Sequence, residues 1–569
     1  MKQQLRQLTL IGAYLTALQG CGAVGEKVSS SATLTNQAVQ EIKVNQLGYA
    51  PDRSKVAIIP GSAADFSVIN TATLKPVFSG KSTGAKYWKL ADETASMADF
   101  SQVHQPGEYR IRSASGQFSP PFYIGSSLLE DAHDAAIKAY YFNRASTALD
   151  PAFASVWQRK AGHPDTNVIP LNAEARISQK AFSSSKGWYD AGDYNKYVVN
   201  SGISTYTLMR TYLDFPRFYQ QRQLNIPEST NGVPDILDEV KWNLDWLLTM
   251  QDTDGGVNHK LTTKYFAGAV MPAEATAQRV VTGKSTAATL NFAAVMAVAS
   301  RLPYENPQQY QQAAKLAWQW AQQNPQRIYH NESDIHTGEY GDDDVSDEFA
   351  WAAAELYLTT GQAQYLQAFL DYQGDPVTPG WSNVALLGTI SLLKDSENLD
   401  ANKRNQLQTH LLSLANKLID EADNSAYGVA MAAKDFVWGS NGVAMNNAMV
   451  LWQAWQLTQE DKFRQAAIRL NDYVLGLNPT GYSYVTGFGS RQPMNIHHRQ
   501  SRADDQLNPV PGFLVGGPHA GQQDGCNYPS AVPARSYIDD WCSYATNEVT
   551  INWNAPLVYS LAAQITQDH

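Results

Sequence analysis

Two kinds of hydrophobic spacing divide this chain. From Glu41 to about Gly125, apolar residues alternate or come in short runs. Ile42 and Val44 alternate, as do Tyr109 and Ile111 after the turn Gln105-Pro-Gly-Glu108, while Val56-Ala-Ile-Ile59 and Phe66-Ser-Val-Ile69 are runs bounded by Pro, Gly or Asp. Such runs place strand faces on a core, and a region of short strands predicts a β-sandwich. No catalytic constellation lies inside it.

From about Leu128 the period changes. Ile236, Val240, Leu244, Leu247 and Leu248 recur at helical spacing after Pro234, and like patterns cover Ala287–Ala299, Ala313–Ala321, Glu348–Leu358, Ala385–Leu393, Leu411–Ile419, Ala444–Leu457, Phe463–Leu475 and Ala555–Ala563. These predict close to a dozen helices joined by loops containing Gly, Pro or Asn. Many faces are alanine-rich, which permits close helix–helix approach. Periodicity predicts the helices and leaves open how they close.

The N-terminus has a third pattern. Lys2 and Arg6 precede a mostly apolar stretch, Leu8 to Leu18, too short for a stable membrane span, and Leu18-Gln-Gly-Cys21 follows. Residues 1–20 are expected to be an export signal. The last four residues resemble a bacterial lipobox, so Cys21 is the expected lipidation site, with 21–39 as a polar tether. Gly22 is not the aspartate of inner-membrane retention. The expected location is therefore the outer membrane or periplasm, the alternative being a plain secreted protein.

Composition narrows the partners. At 43% hydrophobic and 17% charged residues, 569 residues support more than one large core. A net charge of −11 argues against nucleic acid and limits membrane contact to the possible anchor. The 14 Trp and 29 Tyr fit either a large aromatic core or a cleft of sugar-stacking rings. A monomer is expected.

The chemistry gathers in three segments: Trp188-Tyr-Asp-Ala-Gly-Asp-Tyr-Asn-Lys-Tyr197, Ser483–Arg499 with its His497-His-Arg499, and Tyr537–Asn554 with Asp539, Asp540 and Glu548. Hydrolysis of a glycosidic bond needs two carboxyl groups, one to donate a proton and one to activate water or attack carbon. Asp190 and Asp193, three residues apart, are placed to grip one water, although Asp190 could instead cap a helix through Asn195–Leu208. Trp541, Tyr544 and Trp553 would give Glu548 apolar surroundings that keep it protonated, with Asp539 adding like-charge repulsion. Glu548 could otherwise be a first-turn acid.

In this order the three segments resemble glycoside hydrolase family 9. The resemblance implies an immunoglobulin-like domain over 40–126, then an (α/α)6 barrel over 127–569. It further implies inverting hydrolysis of β-1,4-glucosidic bonds in cellulose-derived chains, with Asp193 as base, Asp190 orienting the water, Glu548 as proton donor and Asp539 as a second acid. His497 and Arg499 match the family's H-x-R and are expected at the sugar, while Asp540 is expected at the surface and His498 in the core. Trp188, Tyr194, Trp438 and Tyr544 are candidate stacking platforms, each equally suited to core packing. Exo-acting β-glucosidases or exo-β-glucosaminidases share these carboxylates, and a non-catalytic carbohydrate-binding lipoprotein is the third reading. With no binding module or docking segment after the barrel, soluble oligosaccharides are the expected substrate.

No cofactor is expected for the chemistry. Some relatives hold zinc through Cys and His ahead of the first motif, but Ala145–Trp188 has His163 and no cysteine, so no such zinc is expected. Gly341-Asp-Asp-Asp-Val-Ser-Asp-Glu348 is an oxygen-rich cluster opening a helix. Asp344, Asp347 and Glu348 are its candidate calcium ligands, with helix capping as the alternative. Cys526 and Cys542 fit a disulfide in an exported protein or two buried thiols.

Overall fold

The computed structural model describes residues 41–568; the expected signal, Cys21 and tether lie outside them. Strands β1 (Val56–Pro60), β2 (Asp65–Asn70), β3 (Pro76–Lys81), β4 (Thr83–Trp88), β5 (Glu93–Asp99), β6 (Gly107–Ser113) and β7 (Phe122–Ile124) form two antiparallel sheets, ordered β1-β5-β4 and β3-β2-β6-β7. Ile42–Val44 contributes one bridge, Lys43 to Ile58.

Strand β1 is apolar throughout because both its faces are covered. Ala57 and Ile59 enter the sandwich core with Phe66, Val68 and Ile111. Val56 and Ile58, pointing the other way, join Trp88 in the core of the helical domain. Trp88 packs against Tyr427 and Phe436 at ring separations of 5.5 and 6.2 Å. Polar latches flank this contact. Asp472 accepts from Arg53 at 2.9 Å and from Asn45 at 2.8 Å. Glu93 accepts from the Tyr427 hydroxyl at 2.6 Å and pairs with Arg535 at 2.8 Å.

Among the described residues, twelve helices have ten or more residues: α1 (Glu130–Phe142), α2 (Val198–Asp214), α3 (Asp235–Met250), α4 (Thr286–Ala299), α5 (Pro307–Gln323), α6 (Ser346–Thr360), α7 (Ala363–Tyr372), α8 (Ala385–Asp395), α9 (Ala401–Asn424), α10 (Ser440–Thr458), α11 (Asp461–Val474) and α12 (Ile551–Asp568). The even-numbered ones form the inner ring, with α2–α4, α4–α6, α6–α8, α10–α12 and α12–α2 in contact, and an odd-numbered helix backs each. Burial follows this division. Every residue of α4 is buried, whereas α9 buries only a stripe that includes Leu407, Leu411, Leu414 and Leu418. A helix apolar on all sides belongs inside, and one with a single apolar stripe belongs on the rim. The (α/α)6 barrel expected from the resemblance is the fold observed.

Candidate active site

The segment from Asp190 to Asn195 is a loop ahead of α2, which begins at Val198 without a side-chain cap. Asp190 therefore does not cap that helix. Its amide donates to the Asn195 carbonyl at 3.0 Å, closing the loop, and its own carbonyl accepts from the amide of Ile551 at 2.9 Å. The loop is thereby fixed to the start of α12. Gly192 makes a close approach that only glycine permits: a Cβ there would lie 2.0 Å from the His497 carbonyl oxygen.

Asp190 is buried, and its two carboxylate oxygens accept from Asn200 at 2.7 Å and Tyr340 at 2.8 Å. Burial first, and then the adjacent charge of Asp193, push its carboxyl up to about 8. Asp193 accepts from Asn195 and, at 3.2 Å, from Tyr197. At neutral pH Asp190 thus favours its protonated form.

Glu548 ends a short helix, Tyr544–Asn547, in extended backbone, so it is not a first-turn acid. It bridges His497 in parallel, and its carbonyl accepts from the Gly516 amide at 2.9 Å. This pairing brings the second and third motifs together at the first. Burial and the charge of Asp193 hold the Glu548 carboxyl well above the usual carboxylate range, against the opposing pull of Arg499.

Asp190, Asp193 and Glu548 line one cavity of about 340 Å³, with Tyr340, Trp381, Trp438, Trp553 and Phe266 among its walls. Glycines at the start of α10 make room for Trp553: a Cβ on Gly442 would meet its ring at 2.2 Å and one on Gly439 at 2.5 Å. Trp381, Phe266 and Tyr340 escaped sequence reasoning. They sit in loops without periodicity, and only their aromatic character marked them.

The expected stacking residues divide. Trp438 lines the cavity, and Tyr544 supports it from behind at a ring separation of 5.2 Å. Trp188 is fully buried, donates to Glu239 at 2.8 Å and packs on Tyr140. It is a core residue. Tyr194 lies outside the catalytic cavity and donates to the Val270 carbonyl at 2.7 Å.

Three further polar candidates hold the loops around this cavity. Arg499 is buried; it donates to the carbonyls of Gly192 at 2.8 Å and Ala267 at 2.7 Å. It clamps the aspartate loop, and its positive charge reaches Glu548. Asp539 is not among the residues lining that cavity. It accepts from the amides of Met494 and Asn495, both at 2.8 Å, and fixes the chain just before His497. The His497 ring bonds through Nδ1 to the Trp541 carbonyl at 2.7 Å and stacks on the Trp541 ring at 4.4 Å. Asp540 is exposed and His498 buried, as expected.

The acidic cluster differs by one member from the expected set. Asp342, Asp347 and Glu348 bring carboxylate oxygens within 4.8 Å of one another, while Asp344 is exposed and accepts from the Ser346 amide. Both Glu348 oxygens and one of Asp342 are buried without a hydrogen-bond partner. Burial, and then the neighbouring carboxylates Asp347 and Asp342, raise the Glu348 carboxyl well above its ordinary value. Such orphaned oxygens fit a hard divalent cation. Cys526 and Cys542 are disulfide-bonded. His163 bonds to the Tyr189 hydroxyl at 2.8 Å, in an aromatic cluster with Tyr194.

The model of glycosyl hydrolase family 9 matches residues 130–561, and that of the cellulase N-terminal Ig-like domain matches 37–117. The chain belongs to glycosyl hydrolase family 9. It is an O-glycosyl hydrolase. It is 43% identical to the Bacteroides ovatus xyloglucan-specific endo-β-1,4-glucanase BoGH9A, over 93% of this chain and 94% of that protein. It is 34% identical to endoglucanase D of Acetivibrio thermocellus, over 99% of this chain and 86% of that one. A solved Bacteroides ovatus GH9 structure superposes with a TM-score of 0.86 at 39% identity, covering 93% of this chain and all of that one.

Proposed function

We propose that this enzyme hydrolyses internal β-1,4-glucosidic bonds with inversion, using Asp193 as base, Asp190 as the group that orients the water, and Glu548 as acid. The observation that carries this reading is the convergence of the three carboxyls on one aromatic-walled cavity, with Asp190 and Glu548 both biased toward the protonated form. Asp193 takes a proton from water as its oxygen attacks the anomeric carbon. The bond from that carbon to the glycosidic oxygen breaks, and Glu548 protonates the departing oxygen. Loss of the proton from Asp193 and reprotonation of Glu548 from solvent reset the site. A water between base and sugar requires carboxyls about 6.5–9.5 Å apart, whereas retention places them about 5 Å apart. NMR of the first product tests the assignment: the α-anomer is expected, and a β-anomer overturns it.

The faces of Trp381, Trp438 and Trp553 suit the apolar faces of pyranose rings. Endo action is the reading that the named relatives support. Product analysis on cellopentaose separates it from exo release of single units. Asp342, Asp347 and Glu348 would hold calcium as a structural ion outside the chemistry. The enzyme is exported and anchored through Cys21, a reading supported by the basic-then-apolar N-terminus and the Leu18–Cys21 segment. Labelling with a fatty-acid analogue, lost in Cys21→Ser, tests it. It acts as a monomer, which sedimentation tests.

A further inference from the structure

A second cavity, of about 410 Å³, adjoins the catalytic one, and Phe266 is the single residue lining both. Its wall is a loop between strand Lys260–Thr262 and Val280–Val281, which pair antiparallel. The loop is fastened to the catalytic machinery at several points. Tyr194, next to Asp193, donates to the Val270 carbonyl at 2.7 Å, and Arg499 donates to the Ala267 carbonyl at 2.7 Å. Asn195 accepts from the Thr263 amide at 3.1 Å and from Arg279 at 3.3 Å while donating to Asp193. The recess is therefore a preformed feature attached to the base.

Its lining differs in kind from that of the catalytic cavity. The latter carries three tryptophans; the recess has none, and Ala267, Gly268, Ala275 and Ala277 leave its interior open. Rigid ring platforms suit a chain passing over them. A pocket hollowed by small residues beside such a path suits a group that hangs from the chain. Charge excludes an anion and leaves a neutral sugar unopposed. Lys264 is paired with Asp334 at 2.6 Å and Arg279 with Asp165 at 3.1 Å, Glu274 adds a carboxylate that accepts from the Met271 amide at 3.4 Å, and Thr276 and Gln278 supply uncharged hydrogen-bonding groups. The volume falls within the usual range for small-molecule sites, about 300–1,000 Å³, which admits a sugar unit.

We propose that this recess is a branch subsite, which receives a sugar substituent of a β-1,4-glucan whose backbone occupies the catalytic cavity, with Phe266 standing between the two. The proposal rests on the β-1,4-glucanase reading above.

Thr276→Trp and Ala277→Phe fill the recess from exposed positions. They are to be compared with wild type on a cello-oligosaccharide and on one of equal backbone length bearing α-1,6-xylosyl branches. For the branched substrate kcat/KM should fall about ten- to a hundredfold, the scale on which a misfit pocket discriminates, and remain unchanged for the plain one. Equal loss on both substrates, or no change on either, overturns the branch subsite. Wild type that cuts only the plain chain also overturns it and leaves the glucanase reading standing; wild type that cuts neither removes both. Should the fillings not fold, amide exchange of Glu548→Gln provides the test. Branched ligand should protect residues 263–279 more than plain ligand does, and equal protection overturns the proposal.

Discussion

The hydroxyl of Tyr340 donates to Asp190 at 2.8 Å from a residue whose backbone φ is +49°. An aromatic residue in the left-handed region is strained and persists only where its surroundings enforce it. Here the adjoining loop is tied down: Lys260 donates to the Gly338 carbonyl at 2.6 Å, and His259 bonds to the Glu339 carbonyl at 2.7 Å. Tyr340→Phe keeps the ring and removes the donor. Because Asp190 holds its proton near neutral pH, the bond is one between neutral groups, worth about 0.5–1.5 kcal/mol, so kcat should fall about two- to tenfold with KM little changed. Steady-state kinetics on one soluble oligosaccharide check this.

The raised carboxyl of Asp190 predicts a trade between stability and activity. In the unfolded chain this group titrates near 3.8, and in the folded protein at about 8. Below pH 3.8 both states hold the proton and nothing is lost. Between the two values the unfolded state releases a proton that the folded state keeps, so folding weakens by about 1.4 kcal/mol per pH unit at most. Above pH 8 the loss is constant. Asp190→Asn removes this penalty. It should melt above wild type at pH 7, with the gap closing toward pH 4, while nearly all activity is lost. An unaltered or lower melting temperature at pH 7 contradicts the assignment.

The closure of the helices into a barrel came from the family resemblance, whereas most of the helices, and strands β1, β2 and β6, were legible from spacing, because they bury apolar residues at regular intervals. Strands β3 and β4 were not, since almost all their residues are exposed or half-buried. The separate roles of the three carboxyls proposed to react came from the family resemblance, and the carboxyls themselves were legible as acids in aromatic surroundings. Their supports were not. The placement of Trp188 against Tyr140, of Arg499 on Gly192, and of Asp539 on the amides before His497 depends on contacts between distant segments. Residue type cannot separate a ring that stacks on sugar from one buried beneath the site.

As the proposed acid Glu548 must carry its proton, so activity should decline on the alkaline side as that proton is lost, and its raised carboxyl moves this limb upward. Glu548→Ala should lose about 10²–10⁴ in turnover on natural substrates and lack that limb. An aryl glycoside whose leaving group needs no proton should recover much of the rate in Glu548→Ala and little in Asp193→Ala. Equal rescue of both variants would refute the division of roles.

The acidic trio predicts a response to calcium. Without the ion, Asp342 and Glu348 hold buried oxygens that nothing satisfies. Binding to the native state alone adds RT ln(1 + [L]/Kd), about 2.7 kcal/mol at a hundredfold excess over Kd. Calcium should raise the melting temperature and a chelator should lower it. Glu348→Gln should abolish the difference while remaining folded, with a smaller cost in calcium-free buffer because a buried charge is gone. Calorimetry with and without chelator checks both.

The sandwich domain should act as a brace for the barrel. Removing residues 41–125 uncovers Tyr427 and Phe436, which pack under Trp88, and strips Asp472 of Arg53 and Asn45. An exposed aromatic patch beside a carboxylate left with Arg469 alone at 3.5 Å favours aggregation. Trp88→Ala tests the same contact within the intact chain, where truncating a buried tryptophan costs about 3–5 kcal/mol. It should lower the melting temperature and leave kcat unchanged below the transition, because the catalytic loops are anchored to one another by Arg499 and α12. The isolated barrel should lose solubility and activity even on cellobiose-sized substrates. A barrel that stays soluble and fails only on polymer would assign the sandwich to substrate binding instead.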